Sequence, residues 1–155
     1  MNTDLNPPSV VAPPLAIYGV AFSAAWVLEM VHHLPIANGV WRVVLGWTLI
    51  AGGFGVVRWA FRTLSHAGTT GDPYGVTTKL VVHGPFAYSR NPIYIAMTGL
   101  YLGATLVVNT WWPLILLPAV ILTMQIGVIR REERRLERQF GAVYHAYAAR
   151  VRRWF

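Results

Sequence analysis

Four long apolar stretches, nearly bare of charge, constrain this chain more than any other feature of its sequence. They run from about Pro14 to Val31, Val40 to Phe61, Ile93 to Val108 and Trp112 to Ile129. A hydrocarbon core of about 30 Å takes roughly 20 helical residues, with a range of about 17–25. Backbone N–H and C=O groups in lipid must be satisfied within the segment. The four stretches are therefore read as transmembrane helices, the third being the shortest, and alternating barrel-type strands are not visible. Charge is distributed to match. Between Asn6 and Val57 only Glu29 and Arg42 are charged, whereas Arg131, Glu132, Glu133, Arg134, Arg135, Glu137 and Arg138 crowd into one run. Charged residues make up 12% of the chain and hydrophobic ones 55%, against about 25% charged in a soluble domain. The fold class is all-α integral membrane, with about four transmembrane helices and a C-terminal amphipathic helix. The 155 residues form a single membrane domain: a first helical pair over 1–61, a loop over 62–92, a second pair over 93–129 and a tail helix over 130–155.

Lys and Arg orient the bundle. With four spans both termini, the long loop and the tail share one side. Of the 13 Lys and Arg only Arg42 falls near the other. The positive-inside rule places the crowded side in the cytoplasm, making this a multi-pass protein of the cell inner (plasma) membrane. The net charge of +7 reflects that rule and attraction to anionic lipid head groups, not nucleic-acid binding. With no Cys, disulfides, thiolate metal sites and Cys nucleophiles are excluded. No cleavable signal is expected, since Pro7, Pro8, Pro13 and Pro14 suggest an irregular lead-in. Small residues within the spans, including Gly46, Gly53 and the Gly99-x-x-x-Gly103 pair, suit close helix packing in lipid. Membrane lipids are the expected surroundings, and a homo-oligomer is left open.

Chemistry is expected in two places. The loop is polar and Gly-rich (HAGTTGDPYG), then β-like from Val76 to Val82, then HGPFAYSRNP. Gly84-Pro85 and Asn91-Pro92 predict defined turns. In the tail, Leu136, Phe140, Val143, Tyr144, Tyr147 and Val151 recur every three or four residues as one stripe. Arg131, Arg134, Arg135 and Arg138 fall opposite it, while Glu132 and Glu133 fall at its edges, toward the buried side. A buried carboxylate is costly without compensation. The partner is either Arg90 or a neighbouring Arg, or a bound cationic ligand; the pattern alone leaves both open.

GPFAYSRNPIYIAM resembles the G-P-Y/F-x-x-x-R-N/H-P-x-Y segment of the isoprenylcysteine carboxyl methyltransferase and phospholipid methyltransferase group. EERRLERQFGAVYHAYAARVRRW resembles that group's second signature, E-E-x-x-L-x-x-x-F-G-x-x-Y-x-x-Y. The two stand in the right order, one helical hairpin apart, and cover about Thr78 to Phe155. The first two spans match only in hydropathy.

The resemblance implies a membrane-embedded, S-adenosylmethionine-dependent methyltransferase, with the loop and tail closing over the cofactor at the cytoplasmic face. No Rossmann glycine fingerprint is present, in keeping with that family. By motif position, Thr78, Lys79, Leu80 and Val81 line the cofactor, with His83, Gly84, Phe86, Asn91, Pro92 and Tyr94 beside them. Glu132 meets the cofactor's amino-acid portion, with Glu133 next to it. Arg90, Tyr94 and Arg130 are the candidate catalytic residues. Carboxyl-methylating members have an Arg about four residues before the cofactor-binding Glu; here Val128 stands there, and Arg130 or Arg131 substitutes only if the helix register shifts. The acceptor is accordingly expected to be a hydrophobic or lipid-like molecule. Methyl transfer is a direct displacement that needs aligned partners more than an acid–base pair, so no catalytic triad or metal site is required. A nicotinamide-dependent membrane reductase and a non-catalytic lipid-binding protein are the competing readings. The test between enzyme and scaffold is whether Glu132 is paired internally or faces a pocket.

Overall fold

The computed structural model describes residues 12–69 and 78–154. Helix α1 spans Pro14–Val31, α2 Trp41–His66, α3 Pro92–Val108 and α4 Trp112–Met124. A π turn over Gln125–Ile129 runs α4 directly into α5 (Arg130–Phe140), and α6 follows as Ala142–Arg150. Among the described residues there is no strand, so the β-like reading is not met over 78–82. The Gly-rich part of the loop at 70–77 and the lead-in at 1–11 lie outside the described residues. Three helices are long and apolar enough to cross a membrane: Pro14–Val31, Trp41–His66 and the continuous Trp112–Phe140. Pro92–Val108 is a shorter apolar helix. This is the helical membrane bundle expected, with α2 running five residues past the anticipated boundary at 61.

Prolines start the helices where their missing N–H costs nothing. Pro14 opens α1 and Pro92 opens α3, so Pro14 begins a span instead of extending an irregular lead-in. Asn109 ends α3 in the left-handed conformation, φ 63°, a role for which Asn is suited.

The tightest helix contact is α2 against α3. A Cβ on Gly46 would lie 2.8 Å from the Gly103 carbonyl oxygen, and one on Gly103 would lie 2.6 Å from that of Gly46. Only glycine allows the two backbones this close. A Cβ on Gly99 would meet nothing within 4 Å, so the anticipated Gly99/Gly103 motif acts through Gly103 alone. Helix α1 packs on α4 and on α3. Their shared core joins Tyr18, Tyr101, Val120 and Met124, and the Tyr18 hydroxyl meets Thr98 Oγ1 at 2.7 Å.

The two charges between Asn6 and Val57 are absorbed at one end of the bundle. Glu29 accepts from the Leu34 amide at 3.1 Å and the Thr110 hydroxyl at 2.5 Å, and it contacts His33 Nδ1. Arg42 donates to the Leu106 and Val107 carbonyls at 3.1 and 3.0 Å, satisfying the exposed end of α3. The opposite end gathers the start of α1, the 78–91 segment, α5 and α6.

The tail departs from the single amphipathic helix expected. Gly141 adopts φ 49° and separates α5 from α6. Tyr144 and Tyr147 are buried, as the stripe predicts, while Val143, also in the stripe, is left 64% exposed.

Candidate active site

A cavity of 530 Å³ opens at the charged end, within the roughly 300–1,000 Å³ of small-molecule sites. Its walls come from five helices (α1, α2, α3, α5 and α6) and the loop. From the loop it takes Lys79, Leu80, Val81, Phe86 and Arg90; from the start of α3, Asn91, Pro92 and Tyr94; from the tail, Glu132, Leu136 and Tyr147.

Local structure explains how these side chains converge. The short 3₁₀ helix Gly84–Ala87 turns the chain between α2 and α3. Gly84 has φ 62°, and a Cβ there would sit 2.8 Å from Thr63 Oγ1, so glycine meets both a conformational and a spatial need. Tyr147 donates to the Phe86 carbonyl at 2.7 Å and pins this turn to α6; burial pushes the Tyr147 hydroxyl above its ordinary range. On the tail side, the π turn directly precedes α5. Such a turn adds a residue and rotates the helix beyond it.

Glu132 is only partly exposed and accepts a hydrogen bond from the Tyr94 hydroxyl at 2.9 Å. It lies on the cavity wall. Glu133, one residue on, is engaged elsewhere. It meets Arg90 Nη1 at 3.2 Å and takes a two-pronged contact from Arg153, at 2.9 and 2.6 Å. That hydrogen-bonded pairing raises the Arg153 guanidinium pKa further. Of the two partner types anticipated for the carboxylates, arginines are found on Glu133, while Glu132 lies on the cavity wall with the Tyr94 hydroxyl. Arg90 also donates to Tyr144 at 3.2 Å, and its buried Nε has no hydrogen-bond partner among the described residues.

Of the expected site residues, the structure brings together Lys79, Leu80, Val81, Phe86, Arg90, Asn91, Pro92, Tyr94 and Glu132. Five stand off the wall. Thr78 is exposed and bonded back to Gly68 and Thr69. His83 is exposed. Gly84 packs on Thr63 of α2. Glu133 is held by Arg90 and Arg153. Arg130 is exposed while Val128 is fully buried. The π turn does shift the register, but not so as to bring Arg130 to the cavity.

The sequence reading missed the wall built by the first two helices. Leu15 of α1 and Phe54, Val57, Phe61 and Leu64 of α2 line the cavity. Hydropathy carries no signal for this, because an apolar residue facing a cavity looks like one facing lipid. Leu136 and Tyr147 belong to the tail stripe, and their periodicity was the available clue.

Fold and cavity together define an integral membrane protein with a ligand-sized site, carrying one inward-facing carboxylate, at one end of its helical bundle. The phospholipid methyltransferase family profile matches residues 41–143, well over half of the chain. The chain belongs to that family and is a membrane methyltransferase. The match takes in α2, the first motif and the second motif as far as Val143, so it begins well before the Thr78 boundary expected and stops short of Tyr144, Tyr147 and the expected end at Phe155. No curated protein and no solved structure matches the chain.

Proposed function

We propose that this methyltransferase takes its methyl group from S-adenosylmethionine held in the cavity and passes it to a hydrophobic or lipid-like acceptor. The reaction is assigned to the cytoplasmic face of the inner (plasma) membrane, with both termini in the cytoplasm, on the positive-inside argument. The observation that carries the reading is Glu132: a carboxylate turned into a mostly apolar cavity, with a tyrosine hydroxyl as its hydrogen-bond donor.

The residues fit the cofactor's charges. Glu132 suits the α-ammonium group through a charge-assisted bond. The unpartnered buried Arg90 Nε suits its carboxylate. Phe86 and Tyr94 present aromatic faces to a cation, and Lys79–Val81 and Asn91 complete the enclosure. Bound there, the cofactor supplies an electrophilic methyl group on a cationic sulfur. The chain's part is to hold that methyl in line with the acceptor and to keep water away, which the apolar walls support.

A lipid-like acceptor is favoured by the cavity's course. Its wall follows α2 from Leu64 to Phe54, about 15 Å at 1.5 Å per residue. Leu15 and Phe54 line it yet are 76% and 62% exposed. An apolar chain can therefore enter from the bilayer side. Carboxyl methylation of the isoprenylcysteine kind is less well served, since no arginine stands at the Val128 position.

Calorimetric titration of detergent-solubilised protein with S-adenosylmethionine tests the reading. Micromolar-range binding is expected, abolished by Glu132→Ala; a wild type that binds none would sink it. A reporter fused after Phe155 is expected to report cytoplasm.

A further inference from the structure

The segment after α6 does more than trail from the bundle. Arg152 and Arg153 offer their carbonyls to the loop. Arg90 N–H donates to the Arg152 oxygen at 3.0 Å. Ser89 Oγ and Asn91 Nδ2 both donate to the Arg153 oxygen, at 3.1 and 3.0 Å. The Arg153 guanidinium grips Glu133 with two hydrogen bonds, and Trp154 packs against the buried cluster that contains Tyr94.

These contacts join two walls of the cavity. One is the turn carrying Arg90 and Asn91. The other is α5, where Glu133 adjoins Glu132. An irregular turn loses conformational freedom when it is ordered, and satisfying its polar groups with a neighbouring backbone compensates that loss. Every donor and acceptor in these contacts is on the strap, the turn or Glu133; none belongs to Glu132 or to the apolar wall. The bidentate geometry fixes orientation as well as distance.

We propose that residues 152–154 form a strap that sets the spacing between Arg90 and Glu132, with Arg153 and Glu133 as positioning residues that touch neither cofactor nor acceptor. This rests on the methyl-donor reading above. In that reading Arg90 and Glu132 engage opposite charges on one cofactor, so a shift in their spacing weakens binding without removing either group.

The test uses the full chain, Arg153→Ala, Arg153→Lys, Glu133→Gln, the Glu133→Gln/Arg153→Ala double variant and a chain ending at Val151. S-adenosylmethionine affinity and amide hydrogen exchange are measured well below the unfolding temperature. The Arg153 side chain is one-third exposed, so solvent moderates the effect: Arg153→Ala is expected to weaken binding about tenfold. Arg153→Lys, which keeps the charge but not the fork, should fall between it and wild type. The double variant should be no weaker than the worse single one, because both break one clasp. Exchange at Arg90 should speed up in the chain ending at Val151, while α2 and α3 stay protected. Unchanged exchange there would overturn the strap. Faster exchange with unaltered affinity would overturn its positioning role, leaving a purely stabilising contact. A wild type that binds no S-adenosylmethionine would instead overturn the methyl-donor reading and this role with it, and exchange would still report whether the segment holds the loop.

Discussion

Replacing Glu132 with Gln separates charge from shape at the centre of the proposed site. Gln is nearly isosteric, and its side-chain oxygen can still accept the Tyr94 hydroxyl bond seen at 2.9 Å. What disappears is the negative charge facing the cavity. A hydrogen bond to a charged group contributes about 1.5–3 kcal/mol. With about 1.36 kcal/mol per tenfold change in affinity, Glu132→Gln should weaken S-adenosylmethionine binding roughly 10- to 150-fold. The ligand-free protein should behave in the opposite sense. A partly buried carboxylate is costly to desolvate, so the variant should unfold at the same temperature as wild type or slightly higher. Calorimetry of the solubilised protein, paired with a thermal unfolding scan, reads both quantities. Wild-type affinity in Glu132→Gln would refute the reasoning, because the carboxylate would then not be recognising the cofactor's cation. Loss of affinity together with a large fall in unfolding temperature would refute it differently, by showing that Glu132 holds the fold.

Three further outcomes are expected from the geometry. Tyr94→Phe removes the donor to Glu132 while keeping the ring, and should lower cofactor affinity by about 1 kcal/mol, roughly fivefold, in the same titration. Gly103→Val places a side chain against the Gly46 backbone and should destabilise the bundle by about 1–3 kcal/mol in thermal unfolding, whereas Gly99→Val should leave the midpoint nearly unchanged. Gly141→Ala forces a Cβ into the φ 49° break between α5 and α6 and should lower stability by about 1–2 kcal/mol; an unchanged midpoint would show that the tail tolerates another path.

The sequence by itself determined that the chain is a helical membrane protein, roughly where each apolar helix lies, and which two segments bring polar side chains to the cavity. Length and hydropathy suffice for the spans because lipid imposes one demand on every helix that crosses it. The motifs around Asn91–Tyr94 and Glu132 were legible through their resemblance to a family's two signatures, and the inward placement of the tail carboxylates through its periodicity. Which of two adjacent carboxylates faces the cavity was a different matter. Periodicity put both Glu132 and Glu133 on the buried side; Arg90 and Arg153, remote in sequence from each other, claim Glu133 and leave Glu132 to the cavity. The cavity wall on α2, the choice of Gly46 and Gly103 over Gly99, and the break at Gly141 between α5 and α6 also waited for tertiary structure. Burial in lipid has no direction that hydropathy can record: Phe54 and Trp47 are both apolar residues of α2, and only the placement of α1, α3 and the tail makes the first a wall of the site.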